Sequence, residues 1–476
     1  MLEKITLPNV SDEDNATLNR LLKDLDDKSE GNLLRASYYD GKRAIRQVGT
    51  IIPPQYYRLG IVLGWSAKAV DILARRCNLD SFVWPDGDLD SIGFRDVFEG
   101  NQLSTEISSG IVSSLIHGVA FLVNTRGSDG EPSALIHVKD ALSATGDWNA
   151  RTRRLDNLLS ITSRNADTGN ATSLVLYLDG VTIDAVKDGA KWTAKRTDHA
   201  WGVPAEPLVY KPRVGKPFGT ARISRPVMSL HDQALRTVIR MEGHADVYSF
   251  PEMWLMGADE SIFKNADGSQ KAVWQVMLGR IKAIPDDDGA TAGNERADVK
   301  QFAASSPQPH IDQLKQQAQL FSGETSIPLT SLGVSDLSNP TSADSYIASR
   351  EDLIAEAEGA TDDWGPPLRR TLTRALAMAS GETSIPSEWG SIDAKWRSPL
   401  YLSRAAQADA GMKQLTAVPW LAESEVGLEL LGLDEQQIKR ALADKRRMGG
   451  SAALRAIADA ATNGQPVVTG GVAGSG

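Results

Sequence analysis

The sequence predicts an α+β fold for a chain of more than one compact part, and three observations carry that reading. Apolar residues recur at helical spacing on both sides of a middle stretch, Ala134 to Tyr210, where short alternating runs take over. From Arg222 to Ser322 a helical rod is interrupted by an insertion of unlike composition and then resumes. The 476 residues, 41% hydrophobic and 24% charged, provide ample core and exceed what one ordinary core needs.

Near the N-terminus Ser11 can cap a helix with Leu18, Leu21, Leu22 and Leu25 on one face, and Gly31 is expected to end it. A second segment, Leu33 to Tyr39, stops at the Asp40-Gly41 turn. After Gln55-Tyr56-Tyr57-Arg58 comes an apolar helix to about Ala74. Ile107, Ile111 and Leu115 place a helix over Ser104 to His117, and Gly118 hands the chain to a strand from Val119 to Val123. Ser173 to Leu178 and Val181 to Val186 alternate around Asp179-Gly180, the pattern of a hairpin.

The long rod starts near Ser224, with Pro226 in a first turn where its missing N–H costs nothing. Val227, Leu230, Ala234, Val238, Met241 and Ala245 then step by three or four residues, enough for about 35 Å of amphipathic helix before Pro251. The insertion, Pro251 to Pro309, holds strand-like pieces at Met253 to Met256 and Arg280 to Ile284 and an acidic turn at Asp286-Asp287-Asp288-Gly289. Helical spacing returns at Ile311, Leu314, Ala318 and Phe321 and is expected to halt at Gly323.

A polar loop, Ser331 to Pro340, leads to a helix capped by Thr341 or Ser342 and running to about Glu358. Trp364-Gly365-Pro366-Pro367 should kink or interrupt it before Leu368, Leu372, Ala375 and Leu376 carry it to Ala379. Ser-Gly-Glu-Thr-Ser-Ile-Pro occurs twice, at Ser322 to Pro328 and Ser380 to Pro386, each time where a glycine could close a helix. From Ser403 the chain is again helical, and over Asp434 to Met448 acids come first and bases last, as the helix dipole favours. The final stretch, Asn463 to Gly476, reads as disordered.

Charge and composition exclude several functions. With 51 basic and 61 acidic side chains the net charge is −10, so broad attraction to nucleic-acid phosphates is not expected, and any DNA contact must be local. No signal peptide and no apolar run of membrane-spanning length is found, since Lys68 and Asp71 break the best candidate. The single cysteine, Cys77, rules out a disulfide framework and reads as a buried, inert thiol.

Chemistry is harder to find. The histidines, His117, His137, His199, His231, His244 and His310, show no metal-binding spacing. Gly215-Lys216-Pro217 lacks the hydroxyl residue and the earlier glycine of a phosphate loop, and no nucleophile elbow occurs. Asp86, Asp88 and Asp90 surround Gly87 in a way that no calcium loop does. Asp286, Asp287 and Asp288 with Glu295 could hold Mg²⁺ for phosphodiester cleavage. Against that, three adjacent aspartates point in different directions, so a solvated acidic turn is the competing reading.

Glu206-Pro-Leu-Val-Tyr-Lys-Pro-Arg-Val-Gly-Lys-Pro-Phe-Gly-Thr-Ala-Arg-Ile-Ser-Arg-Pro and its continuation to Arg236 resemble the approach to the stem helix in portal proteins of tailed phages. Tyr38-Tyr39-Asp40-Gly41-Lys42 and Asn339-Pro340-Thr341-Ser342-Ala343-Asp344 are similar to two further motifs of that family. The order of parts agrees from about residue 11 to 447, most closely with portals of long-tailed phages of actinobacteria.

The resemblance implies a portal-type elongated subunit. Residues 1–222 would be the wing, 223–250 and 310–325 the stem helices, 251–309 a small α/β clip, 326–402 a tunnel loop and kinked wing helix, and 403–462 a helical crown. It further implies a ring of about twelve copies at one capsid vertex, a channel for packaging and ejecting double-stranded DNA, and no enzymatic activity or cofactor of its own. The implied partners are the major capsid protein, scaffolding protein, the terminase large subunit and a head–tail adaptor, with no membrane; assembly would occur in the host cytoplasm.

By position, Gly333, Val334, Ser335, Asp336, Leu337, Ser338, Asn339 and Pro340 would form the DNA-facing tunnel loop. Asp286, Asp287, Asp288, Glu295 and Arg296 would lie on the clip surface that docks terminase and adaptor. Arg225, Arg236 and Arg240 would sit on the stem, and Lys445, Arg446 and Arg447 would be crown residues able to touch DNA. Two other readings stay open at this level: a metal-dependent nucleic-acid hydrolase using the acidic insertion, and another scaffold or adaptor of the capsid.

Overall fold

The computed structural model describes residues 4–42, 60–249, 253–256, 269, 298–301, 305–334, 350–400, 404–434 and 436–448. The chain divides into two compact units, Met1–Pro399 and Leu400–Gly476. The fold is α+β, and every strand pairing described is antiparallel.

Helix α1 (Asp12–Tyr39) begins where the sequence says it should, with the Ser11 hydroxyl accepting from the Asp14 backbone N–H at 3.1 Å. It does not end at Gly31. The helix continues to Tyr39, because the final turns bury Asn32 and Tyr38, and that packing outweighs the roughly 1 kcal/mol that a mid-helix glycine costs. Helix α2 (Trp65–Ala74), strand β1 (Leu79–Val83), helix α3 (Phe94–Gly100) and helix α4 (Leu103–His117) follow. Asp86 and Asp88 are exposed, and the Asp88 carboxylate caps a short 3-10 turn by accepting from the Asp90 N–H, as an acidic surface loop should.

Strands β2 (Val119–Arg126), β3 (Ala134–Asp140) and β9 (Ala205–Val209) make a three-stranded sheet in the order β3-β2-β9. Strands β4 (Ala144–Asn149), β5 (Arg154–Arg164), β6 (Ala171–Leu178), β7 (Val181–Asp188) and β8 (Lys191–Asp198) form a five-stranded meander. The Asp179-Gly180 hairpin joins β6 to β7 in the expected register, Leu178 facing Val181. Alternation explains the packing: Leu174 and Leu176 of β6 and Ile183 of β7 turn inward onto the Leu18, Leu21 and Leu25 face of α1.

Helix α5 (Arg225–Ser249) and helix α6 (Gln308–Thr325) pack as a pair. Between them the described residues hold a short antiparallel ribbon, β10 (Met253–Met256) with β11 (Asp298–Gln301). The sequence anticipates β10 and misses β11; its strand-like piece at Arg280 to Ile284 lies outside the described residues. Helix α6 passes through Gly323 and stops only when Ser326 turns left-handed at φ 54°. The second copy of the heptapeptide behaves as expected, Gly381 taking φ 74° after its helix. One sequence thus has two exits, because buried Thr325 and Ile327 fix the first on its own neighbours.

Helix α7 (Glu351–Ala379) runs on across Pro366 and Pro367, so of the two expected outcomes, a kink or an interruption, the interruption does not occur. Trp364, Pro367 and Leu368 are buried, so tertiary packing holds the turn that the two prolines weaken. Its inward face, with Leu372 and Leu376, joins residues of α4 and β2 in the largest core. The expected start at Thr341 or Ser342 lies outside the described residues. Strand β12 (Asp393–Trp396) pairs with β1.

The second unit contains α8 (Arg404–Ala417), α9 (Glu425–Leu430) and a helical stretch over residues 436–448. Asp434 opens that stretch by accepting from the Gln437 N–H at 2.8 Å.

Candidate functional site

One segment, 205–223, supplies the polar lock at the base of the helix pair. After β9 the chain forms a small turn closed between Arg213 and Lys216, then folds back so that the Thr220 N–H donates to the Tyr210 carbonyl at 3.0 Å. Gly219 makes this possible: it sits at φ 71°, and a Cβ there would lie 2.2 Å from the Tyr210 oxygen. The return strand is pinned when the Arg222 N–H donates to the Leu115 carbonyl at 2.8 Å.

Arg222 is thereby placed at the base of the helix pair with its side chain buried. Its Nε donates to the Ala69 carbonyl of α2 at 2.6 Å, and Nη2 donates to the Thr325 carbonyl that ends α6, also at 2.6 Å. Its Nη1 reaches the Tyr210 hydroxyl at 3.1 Å and Glu356 Oε2 of α7 at 2.6 Å. A cation on the last carbonyl of a helix meets both an orphan acceptor and the negative end of the dipole. Tyr210 donates to Glu356 Oε1 at 2.5 Å, and Lys211 closes the set on the same oxygen.

The electrostatics follow from this geometry. Burial alone would push the Glu356 carboxyl up, but Arg222 and the hydrogen bonds from Lys211 and Tyr210 hold it below its ordinary range. Burial alone would likewise lower Arg222, and Tyr210 with Glu356 overrides it to leave the guanidinium raised. The Tyr210 hydroxyl is pushed up by burial and so stays a donor.

A second buried ion cluster fastens α7 to the three-stranded sheet. Glu206 in β9 accepts from Arg370 Nε at 2.8 Å and from Arg374 Nη2 at 2.7 Å. Arg374 also donates to Asn124 Oδ1 at 3.0 Å, and Asn124 donates to the Thr371 carbonyl at 3.0 Å. Nearer the helix pair, His231 of α5 shares a 2.9 Å hydrogen bond with Ser66 of α2 and stands edge-on to Tyr38. Trp65, Ala69, Val227, Ala234, Ala318 and Phe321 fill the space between these polar locks.

The sequence-predicted site residues fare unevenly. Gly333 ends a 3-10 turn at φ 78°, and Val334 packs partly against the core at the base of the pair. Ser335, Asp336, Leu337, Ser338, Asn339 and Pro340 lie outside the described residues, as do Asp286, Asp287, Asp288, Glu295 and Arg296. Arg225, Arg236 and Arg240 are spread along α5 rather than gathered, Arg225 and Arg240 exposed and Arg236 half-buried. Lys445, Arg446 and Arg447 are exposed in the second unit, and Arg447 is bonded to Asp444 one turn earlier.

Sequence spacing misses both ion clusters and ring contacts such as His244 of α5 against His310 of α6 at 5.5 Å. Cys77 is buried as expected, and burial pushes its thiol up to about 12.

Buried polar bonds around Arg222 thus fasten the base of the long helix pair to the α+β body. The chain belongs to the family of phage portal proteins, SPP1 Gp6-like, whose sequence model it matches over residues 19–448. It is a portal protein by that membership, and portal proteins are components of the phage virion.

The chain is similar to the portal protein of Mycobacterium phage D29, at 23% identity over 396 residues covering 82% of this chain and 79% of the relative. Similarity to the portal protein of Mycobacterium phage L5 is of the same order, 23% over 403 residues, covering 83% and 80%. Both relatives are from phages of an actinobacterial host genus, in keeping with the resemblance read from the motifs. Among solved structures, a chain of the neck of a native gene transfer agent particle computed with C12 symmetry aligns at TM-score 0.41 and 14% identity, over 84% of this chain and 98% of that one. A chain of the virion of a native gene transfer agent particle aligns at TM-score 0.39 and 16% identity, over 78% and 90%.

Proposed function

We propose that about twelve copies of this chain close a ring at one capsid vertex, with α5 and α6 as the stem beside a DNA channel. The observation that supports this is how the pair buries itself. At the base Val227, Ala234, Ala318 and Phe321 are enclosed, whereas toward the far end of α5 Ala245 and Tyr248 are exposed, and beside Phe321 the outward side of α6 presents Leu320, 57% exposed. A helix pair locked at one end and open along the rest is shaped for lateral contacts with further copies.

In this reading β10 and β11 form the root of a clip, the segment 257–297 contains the surface that docks the terminase large subunit and later a head–tail adaptor, and residues 333–340 form the tunnel loop. The wing faces capsid and scaffolding proteins, and the second unit is the crown. The net charge of −10 keeps phosphate contacts few, so the channel guides DNA without gripping it. The chain assembles in the host cytoplasm and contributes no catalysis of its own.

Negative-stain images of the purified protein test the ring directly: annular particles are expected, and monomers alone at every salt concentration would reject it. Deleting Ser335 to Asn339 should leave rings intact and impair DNA packaging or retention. Normal phage yield from that deletion would reject the tunnel-loop assignment.

A further inference from the structure

Between α1, the ends of α4 and β4, and the Phe218 turn lies a half-open cavity of about 310 Å³. Its lining is unusual in its charge. Lys28 and Arg35, two turns apart on α1, both face it, and among the described residues neither is ion-paired with a carboxylate. Arg35 is half-buried with Asn32 Oδ1 as its hydrogen-bond acceptor at 2.8 Å. The Lys28 ammonium is tethered at the rim by the Thr145 hydroxyl at 3.2 Å and sits 5.9 Å from the centre of the Phe218 ring.

A third polar group in the lining is unsatisfied. His117 closes α4, and its Nδ1 is buried with no hydrogen-bond partner among the described residues. Phe121 and Phe218 supply an apolar wall. Asp27 is the one carboxylate in the lining and is exposed, so at neutral pH, with His117 uncharged, the lining itself carries one net positive charge; outside it Asp147 feels Lys28 but is taken up by Arg20 and Asn157, and Asp140 acts on His117.

We propose that this cavity is an oxyanion site, in which Lys28 and Arg35 together bind one carboxylate or phosphate group and the two phenylalanines pack against the carbon attached to it. Two cationic side chains lining one half-open space keep donors unused by any carboxylate, and one anion would accept from both. Arg35 carries a desolvation cost as well, since burial lowers its pKa below the ordinary value. The bound group also gives His117 a reason to protonate: burial now holds it down to about 4, helped by Arg35 and opposed by Asp140, and an anion beside it raises it. Nothing in the portal reading calls for such a site. The anion is either a free solute or an acidic side chain of a second copy of this chain.

The experiment uses the full chain and measures thermal unfolding against inorganic phosphate, acetate and chloride at matched ionic strength. Phosphate or acetate should stabilise saturably where chloride does not, and Lys28→Gln and Arg35→Gln should each weaken the effect about tenfold or more. The His117 imidazole, followed by NMR, should titrate higher with saturating phosphate. If free anions do nothing because a second copy supplies the carboxylate, both variants should instead shift assembled protein toward monomer in sedimentation. Variants that respond to anions and assemble as the parent does would overturn the proposal. Should Arg35→Gln fail to fold, Lys28→Gln, at an exposed position, carries the same test.

Discussion

Arg222 Nη1 lies 2.6 Å from Glu356 Oε2 while only 4% and 11% of the two side chains reach solvent. The pair joins the segment leading into α5 to the beginning of α7, and through the Arg222 bonds to Ala69 and Thr325 it reaches α2 and the end of α6 as well. A buried pair of this kind specifies how parts are arranged more than it stabilises them, because both charges had to leave water. Removing one partner is another matter, since the survivor stays buried and uncompensated.

Arg222→Met is therefore expected to cost about 3–5 kcal/mol, and Glu356→Gln a similar amount. Replacing both together should cost less than the sum, the mark of coupling between them. Urea unfolding of the three variants measures this, and strict additivity would mean the two side chains act independently. The sign with pH also follows: Glu356 is held below its ordinary value, so its contribution is complete above the unfolded carboxyl pKa and is lost as pH falls through the folded one.

The Glu206 cluster makes a sharper case, because one carboxylate serves two guanidiniums. Glu206→Gln should leave Arg370 and Arg374 unpaired beside each other and destabilise the body by about 3 kcal/mol or more. Arg370→Gln should cost less, since its side chain is 26% exposed against 4% for Arg374. If Arg370→Gln proves the more damaging of the two arginine variants under chemical denaturation, the ranking by burial is wrong.

How much of this could be read from the sequence depends on how local the cause is. The Ser11 cap, the Asp179-Gly180 hairpin, the Gly118 handover and the Pro226 start each depend on a few adjacent residues, and each appears in the structure where the spacing puts it. The expected ends at Gly31 and Gly323 fail because packing overrides local propensity, and the helix runs on past Pro366 and Pro367, where Trp364 beside them is wholly buried. Pairings such as β1 with β12, or Arg222 with Glu356, leave no periodic trace, since their partners are brought together only by the fold. None of the sequence-predicted site residues is part of the Arg222–Glu356 or Glu206 contacts; the sequence marks the approach to the long helix only through its resemblance.

Gly219 offers a test of that place by sterics alone. It holds φ 71° and its missing Cβ leaves room for the Tyr210 carbonyl, so Gly219→Ala forces the 210–222 return to move. The expected outcome is a loss of about 2 kcal/mol or more, together with weaker coupling in the Arg222–Glu356 cycle, because Arg222 is placed by that return. An unchanged unfolding midpoint would show that the return tolerates a side chain.

The histidines give a pH dependence with a definite direction. Burial is the first cause in His117, His137, His199 and His231 alike, and in all four it lowers the pKa; for His117 the value is about 4. In the unfolded chain these rings take up protons near their ordinary pKa of about 6.5. Between that pH and the folded values the unfolded state binds more protons, so stability falls as pH drops through the window. His117 alone could account for up to roughly 3 kcal/mol of this between pH 6.5 and 4. His117→Phe should flatten the pH dependence of the unfolding midpoint over that range without abolishing it, since His231 against Ser66 still contributes. Saturating phosphate should flatten it as well in the parent protein, by raising the folded His117 value toward the unfolded one, and should do so much less in Arg35→Gln. A His117→Phe profile that overlays the parent between pH 4 and 6.5 would show that this ring does not titrate with unfolding.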